Sequence, residues 1–241
     1  MGRGKSKRKM KQKIKRIKKI KKGIHVPFSL ANSPRKLVGR SHKHDFGTNI
    51  HNLIYVEASF KNVKYTSSNI TSCNFRNAKF TGIDFINTNL KKSKFKNAHF
   101  ENVIFYTANL KGVDFLNATF KNVYFINTNL SKTKNIDINN PNVHVLKGSP
   151  NLELSPSLVT SINQLMTIQK FSKHFVLTTK NSNGKKINSW IIYLLLKNFS
   201  EDELTRGFNR LYSNNKSKSN KNMHTYYSYL EFLSKYFEKM I

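Results

Sequence analysis

From Phe60 to Leu130 a large apolar residue falls on every fifth position: Phe60, Tyr65, Ile70, Phe75, Phe80, Phe85, Leu90, Phe95, Phe100, Phe105, Leu110, Phe115, Phe120, Phe125, Leu130. A period of five matches neither the 3.6 of a helix nor the 2 of an isolated strand. Held through so many consecutive units, it marks a repeat architecture in which each unit buries its apolar side chains against its neighbours. These fifteen residues are therefore the expected core. Two positions before each lies a small or β-branched residue, from Ala58 and Val63 to Val123 and Thr128.

A second, longer period sets the geometry. Read every twentieth residue, the positions sort by type. Phe60, Phe80, Phe100 and Phe120 follow Ala58, Ala78, Ala98 and Ala118. Tyr65, Phe85, Phe105 and Phe125 follow Val63, Ile83, Val103 and Val123. Ile70, Leu90, Leu110 and Leu130 each have an Asn immediately before them, and Phe75, Phe95 and Phe115 complete the cycle. Four five-residue units thus make one coil, and like residues stack one strand spacing, ~4.8 Å, apart. The column Asn69, Asn89, Asn109, Asn129 is expected to form a ladder of side-chain amides. The hexapeptide FINTNL occurs at Phe85–Leu90 and again at Phe125–Leu130, two full coils on. The pattern slips at Asn135, where a Phe would be due, so the solenoid is expected to end there and to offer its open end to the C-terminal segment.

ANLKG at Ala108–Gly112, TNLKK at Thr88–Lys92 and AKFTG at Ala78–Gly82 resemble the motif of the pentapeptide-repeat family. The resemblance spans about residues 53–134. It implies a right-handed, four-sided β-helix, here of about four coils, with the central Leu or Phe and the small residue before it pointing inward. Cys73 then occupies a small core slot. Some members of that family imitate duplex DNA and bind type II topoisomerases, protecting or inhibiting them. Such mimicry needs an acidic surface, and this chain carries 43 Lys and Arg against 12 Asp and Glu, a net +31.

That excess favours a polyanionic partner: nucleic acid, an acidic protein or an anionic membrane surface. A Lys- and Asn-rich composition also arises from an AT-rich genome. The N-terminal run holds Lys5, Lys7, Arg8, Lys9, Lys11, Lys13, Lys15, Arg16, Lys18, Lys19, Lys21 and Lys22 with no acid among them. Met10, Ile14, Ile17, Ile20 and Ile24 recur at helical spacing within it. It reads as an arm, disordered or helical, that grips phosphates or lies on anionic lipid. MGRGKS at its start also fits a short myristoylation pattern. On the solenoid, Lys91, Lys92, Lys111 and Lys132 follow the Leu column. Arg76, Lys94, Lys96 and Lys134 surround the next, so the eight are expected to line one corner as a basic ridge.

Beyond Pro141 and Pro150 the pattern turns helical. Ser157 to Phe175 carries apolar residues at helical spacing, and SEDEL at Ser200–Leu204 is a capping box. Trp190–Phe199 and Tyr226–Met240 read as two further helices. The chain divides into an arm (1–45), a β-helix (46–140), a linker (141–155) and an all-α C-terminal module (156–241), expected to cap the open end and able to dimerise.

Catalysis and metal find no constellation. Glu57, Asp84, Glu101, Asp114 and Asp137 scatter over different sides of the solenoid, with no nucleophile beside a base. His42, His44, Asp45 and His51 form an HxH…H arrangement with no Cys partner, and no metal site is assigned. No cofactor is expected. One cysteine excludes an internal disulfide, no stretch reaches the ~20 apolar residues of a membrane span, and no secretory signal is seen. The expectation is a cytoplasmic, non-enzymatic binding or scaffold protein, with topoisomerase binding or membrane-surface association as alternatives.

Overall fold

The computed structural model describes residues 37–181, 184–215 and 222–239. Its larger part is a β-solenoid. Six strands form one parallel sheet in the order β1 (Ser41–Phe46), β3 (Ser59–Thr66), β5 (Lys79–Ile86), β6 (His99–Tyr106), β7 (Thr119–Ile126) and β8 (Val143–Leu146). Short β2 (Asn49–His51) and β4 (Asn69–Thr71) pair on another side. Every register step is one coil: Phe60 lies opposite Phe80, Phe80 opposite Phe100, and Phe100 opposite Phe120. The twenty-residue coil read from the sequence is therefore the physical repeat.

Rings in one column stack nearly parallel, as in Phe75–Phe95 at 4.9 Å and Phe105–Phe125 at 4.9 Å, while neighbouring columns meet edge to face. That alternation suits the aromatic quadrupole and fills the core. Thirteen of the fifteen expected core residues are buried, whereas Phe120 and Leu130, near the last coil, are only partly so. The hydroxyls of Thr88, Ser93 and Thr128 in the small inward slots donate to the carbonyls of Tyr65, Ile70 and Phe105, so no donor there is stranded.

The corners explain the abundance of Asn. A residue with positive φ returns every five positions, among them Asn62, Ser67, Ser72, Asn77, Gly82, Asn87, Lys92, Asn97, Asn102, Thr107, Gly112 and Asn117. Asn and Gly tolerate this left-handed conformation better than other residues. The ladder expected of Asn69, Asn89, Asn109 and Asn129 forms only its first rung, Asn89 to Asn69 at 3.0 Å. The Oδ1 atoms of Asn89, Asn109 and Asn129 instead accept the backbone N–H two residues ahead, a local turn that competes with bonds between coils.

The solenoid is longer than the period suggested, about five turns rather than four. It reaches back to Ser41, inside the segment read as an arm, and forward to Leu146, beyond residue 140. The first coil escaped notice because charged residues replace its apolar ones. Asp45 stands opposite Tyr65, and Arg40 Nη1 binds its Oδ2 at 2.5 Å, closing that end with an ion pair in place of a ring.

The C-terminal module contains α1 (Pro156–Met166), α2 (Gln169–Ser172), α3 (Ser189–Leu196), α4 (Glu201–Ser213) and α5 (Tyr226–Glu238). The segment from Ser157 to Phe175 is two helices rather than one, because the chain leaves helical geometry at Ile168. The expected capping box is present, with the Ser200 hydroxyl on the Glu203 N–H and the Glu203 carboxylate on the Ser200 N–H. The module also contains an antiparallel hairpin, β9 (Thr178–Asn181) and β10 (Gly184–Ile187), which an all-helical reading missed.

The module does not sit on the open end of the solenoid. It packs against the flat outer side of the six-stranded sheet, and Ile104, Tyr124 and Ile126 join its apolar core. The sheet side could receive it because Ile104, Tyr124 and Ile126 face outward there, and the polar residues beside them find partners in the module.

Candidate polyanion interface and the docking seam

One outward column of the sheet makes the seam: His44, Lys64, Asp84, Ile104, Tyr124 and His144 lie in register across six strands. Lys64 Nζ donates to the carbonyls of His174 and Phe175, both at 2.8 Å, and Asp84 Oδ2 accepts the Tyr226 N–H at 2.9 Å. The two charges attract across adjacent strands, but each is bonded to the module. Burial dominates both. It lowers Lys64 to about 8 against the pull of Asp84, and raises Asp84 to about 6 despite Lys64 and the Tyr226 N–H. The repeat spacing predicts an outward Asp84, and the residue does point out of the solenoid, but the module covers it. Tyr124 meets the Tyr226 ring edge to face at 6.3 Å, with Lys197 Nζ over its own ring at 5.9 Å. Gly82, at φ +66°, lets the Tyr227 ring approach so closely that a Cβ would lie 2.3 Å from Tyr227 Cδ1.

Next to this seam, Asn62 ties the same module segment down. Its Nδ2 donates to the Asn222 carbonyl at 2.6 Å, and its Oδ1 accepts from the Thr225 hydroxyl at 2.6 Å. Sequence reasoning missed the seam. Two large apolar residues, Ile104 and Tyr124, in an outward slot were the signal that could have found it.

The basic ridge lies elsewhere on the coil. The backbones of Lys94 and Asp114, and of Asp114 and Lys134, form parallel β-bridges across successive coils. The Lys92 N–H donates to the Lys111 carbonyl, and the Gly112 N–H to that of Lys132. The register thus brings Arg76, Lys91, Lys92, Lys94, Lys96, Lys111, Lys132 and Lys134 together. All are exposed except Lys91, which is partly so. Ten residues, half a coil, separate Asp84 from Lys94, so the module leaves the ridge uncovered. Asp114 interrupts the ridge, but its Oδ1 accepts from the Leu116 N–H at 3.1 Å and from Asn135 Nδ2 at 2.7 Å. Among the described residues, none of the eight ridge cations forms an ion pair.

The basic residues from Lys5 to Lys22 lie outside the described residues. The four N-terminal groups weighed as metal ligands go separate ways: His42 to Asn62, His44 to His174 and Thr66, Asp45 to Arg40, and His51 to Thr71. No group of three potential ligands suited to a metal occurs among the described residues. Cys73 is a fully buried core residue whose thiol burial pushes up to about 11. No described helix is long and apolar enough to cross a membrane.

Known proteins bear on the fold. No curated protein matches the chain. It is similar to the structure of Rfr23, a pentapeptide repeat protein from the cyanobacterium Cyanothece 51142, at 16% identity over 47% of this chain and 67% of that one, with a TM-score of 0.33. A pentapeptide repeat protein from the Arabidopsis thaliana thylakoid lumen is 18% identical over 51% of this chain and 76% of its own, with a TM-score of 0.33. A trypsin-treated form of QnrB1, a plasmid-mediated fluoroquinolone resistance protein, is 13% identical over 51% of this chain, with a TM-score of 0.33, and this chain spans 57% of its length. A family model described as a pentapeptide repeat region matches residues 48–125. With the columns, the coil register and that model in agreement, residues 48–125 of this chain are a pentapeptide-repeat region.

Proposed function

We propose that this protein is a non-enzymatic binding protein whose solenoid presents its basic ridge to a polyanion, nucleic acid being the foremost. The observation that carries this reading is the ridge: eight cations on a rigid frame, without ion pairs among the described residues and half a coil from the docked module. Ridge side chains stand on coils ~4.8 Å apart, so a phosphate backbone running along the ridge can meet several of them. The contacts are to charge and carry no base readout, so binding is expected to be indifferent to sequence. The N-terminal basic run would add to the same attraction.

The topoisomerase reading draws on the family and on likeness to a fluoroquinolone resistance protein, but the exposed ridge is basic where a mimic of DNA is acidic. Binding to duplex and single-stranded DNA, titrated across salt concentrations, tests the proposal. A steep fall with salt, reduced on neutralising Lys92, Lys94, Lys132 and Lys134, supports it. Binding that ignores both salt and those substitutions overturns it, and altered gyrase supercoiling without DNA binding would favour the topoisomerase reading.

A further inference from the structure

Three histidines meet in a chain where the module crosses the first coil. His44 Nε2 lies 3.0 Å from Thr66 Oγ1, His44 Nδ1 lies 3.2 Å from His174 Nδ1, and His174 Nε2 lies 3.0 Å from His224 Nδ1. His44 belongs to β1 of the solenoid. His174 and His224 belong to the module and are buried. The chain therefore spans the junction rather than lying within one part.

Hydrogen counting fixes what this chain tolerates. Each nitrogen-to-nitrogen contact needs one hydrogen, no more and no fewer. Three neutral imidazoles carry three hydrogens, two for the contacts and one for an outer nitrogen. A fourth fits on the other outer nitrogen. A fifth has no place except inside a contact, where it sets one N–H against another. The chain thus absorbs one proton and is broken by the second.

We propose that this imidazole chain is an acid-operated latch, in which uptake of a second proton releases the module segments around His174 and His224 from the solenoid face. The surrounding cations push the same way, and among the neighbouring charges only Asp45 opposes them, by raising His44. Lys64 from β3 and Lys173 from the module face the rings, with His42 and Asp45 on β1, and Asp45 is already engaged by Arg40 and Lys43. Burial, reinforced by these cations and by the neighbouring rings, lowers His44 to about 4, His174 to about 3 and His224 to about 4. A histidine whose docked value is lowered stabilises docking above its free value near 6.5. That stability is lost as pH falls from there towards the docked value. Asp84 opposes them, because its raised value of about 6 makes docking more favourable as pH falls below it. Three lowered rings outweigh one raised carboxyl, and Lys64 keeps its charge throughout this acidic range. The latch is closed at neutral pH and opens in mild acid.

The junction has a built-in reporter, the Tyr226 N–H bonded to Asp84. Hydrogen exchange on the full chain, corrected for the intrinsic rate at each pH, reads its opening. Between pH 7 and pH 4.5 the protection of Tyr226 should fall more than about 100-fold, while that of Phe105 in the solenoid core holds. His174→Phe removes the central ring and should flatten the dependence to within about tenfold. Should that variant not fold, nitrogen chemical shifts of the three imidazoles in the unmodified protein decide the matter. Rings that stay neutral and then titrate together as Tyr226 loses protection support the latch. Rings that titrate singly near 6.5, or a Tyr226 protection that tracks Phe105 down to pH 4.5, overturn it.

Discussion

The Asp84 carboxylate holds the backbone N–H of Tyr226 at 2.9 Å, joining a strand of the solenoid to the first turn of the last helix across 142 residues of chain. Asp84 lies in register beside Lys64, which is itself buried with its ammonium on two module carbonyls. Replacing Asp84 by Ala removes the acceptor for Tyr226 and leaves Lys64 without its compensating charge. Leaving a buried donor without its acceptor costs ~1–3 kcal/mol. Urea unfolding should show a loss at least that large, and a change below about 1 kcal/mol would mean the seam is not built on Asp84.

Gly82 and Gly112 separate two effects at equivalent backbone positions. Both have positive φ, +66° and +71°. A Cβ at Gly82 would strike Tyr227 of the module at 2.3 Å, whereas one at Gly112 would lie 3.7 Å from Lys92 Cγ. Gly112→Ala should cost only the left-handed penalty, ~1–2 kcal/mol. Gly82→Ala should cost ~1–3 kcal/mol more, by overpacking against Tyr227. Limited proteolysis should find the module loosened in Gly82→Ala and intact in Gly112→Ala.

What the sequence made legible divides along the same line. Inward columns repeat, because every coil must satisfy the same steric slot, so Phe75, Phe95 and Phe115 announce themselves by spacing alone. The seam column does not repeat. His44 and Lys64 meet His174, Asp84 and Tyr124 meet Tyr226, and His144 stacks on Tyr124, so each position answers its own neighbours and no period connects them. Asp45 hid the first coil for a related reason, since its partner Arg40 replaces apolar burial by ion pairing. The ridge was legible because it follows from coil register, which the core columns already determined. The hairpin at Thr178–Ile187 was not, because its short strands carry Lys and Asn rather than alternating apolar residues.

Thr107 sits at φ +48°, a left-handed conformation that β-branched residues disfavour. Asn87 and Asn127, one coil away on either side, adopt the same conformation at lower cost. Thr107→Asn should therefore stabilise the protein by about 0.5–1 kcal/mol, even though it removes the hydroxyl bonded to Asn87. A raised urea midpoint with unchanged slope checks it, and a lowered one would show that the Thr107–Asn87 bond outweighs the backbone strain.

The ridge can be tested one cation at a time. Each Lys that neutralises a phosphate contributes about 0.9 to the slope of log affinity against log salt on duplex DNA. Lys92→Gln and Lys132→Gln should each reduce that slope by about 1. Lys121 is the internal control, being equally exposed but bound to Glu101 at 2.8 Å on a different column. Its neutralisation should leave the slope unaltered. Equal losses from all three substitutions would show that the protein binds through its overall +31 charge and not through the ridge.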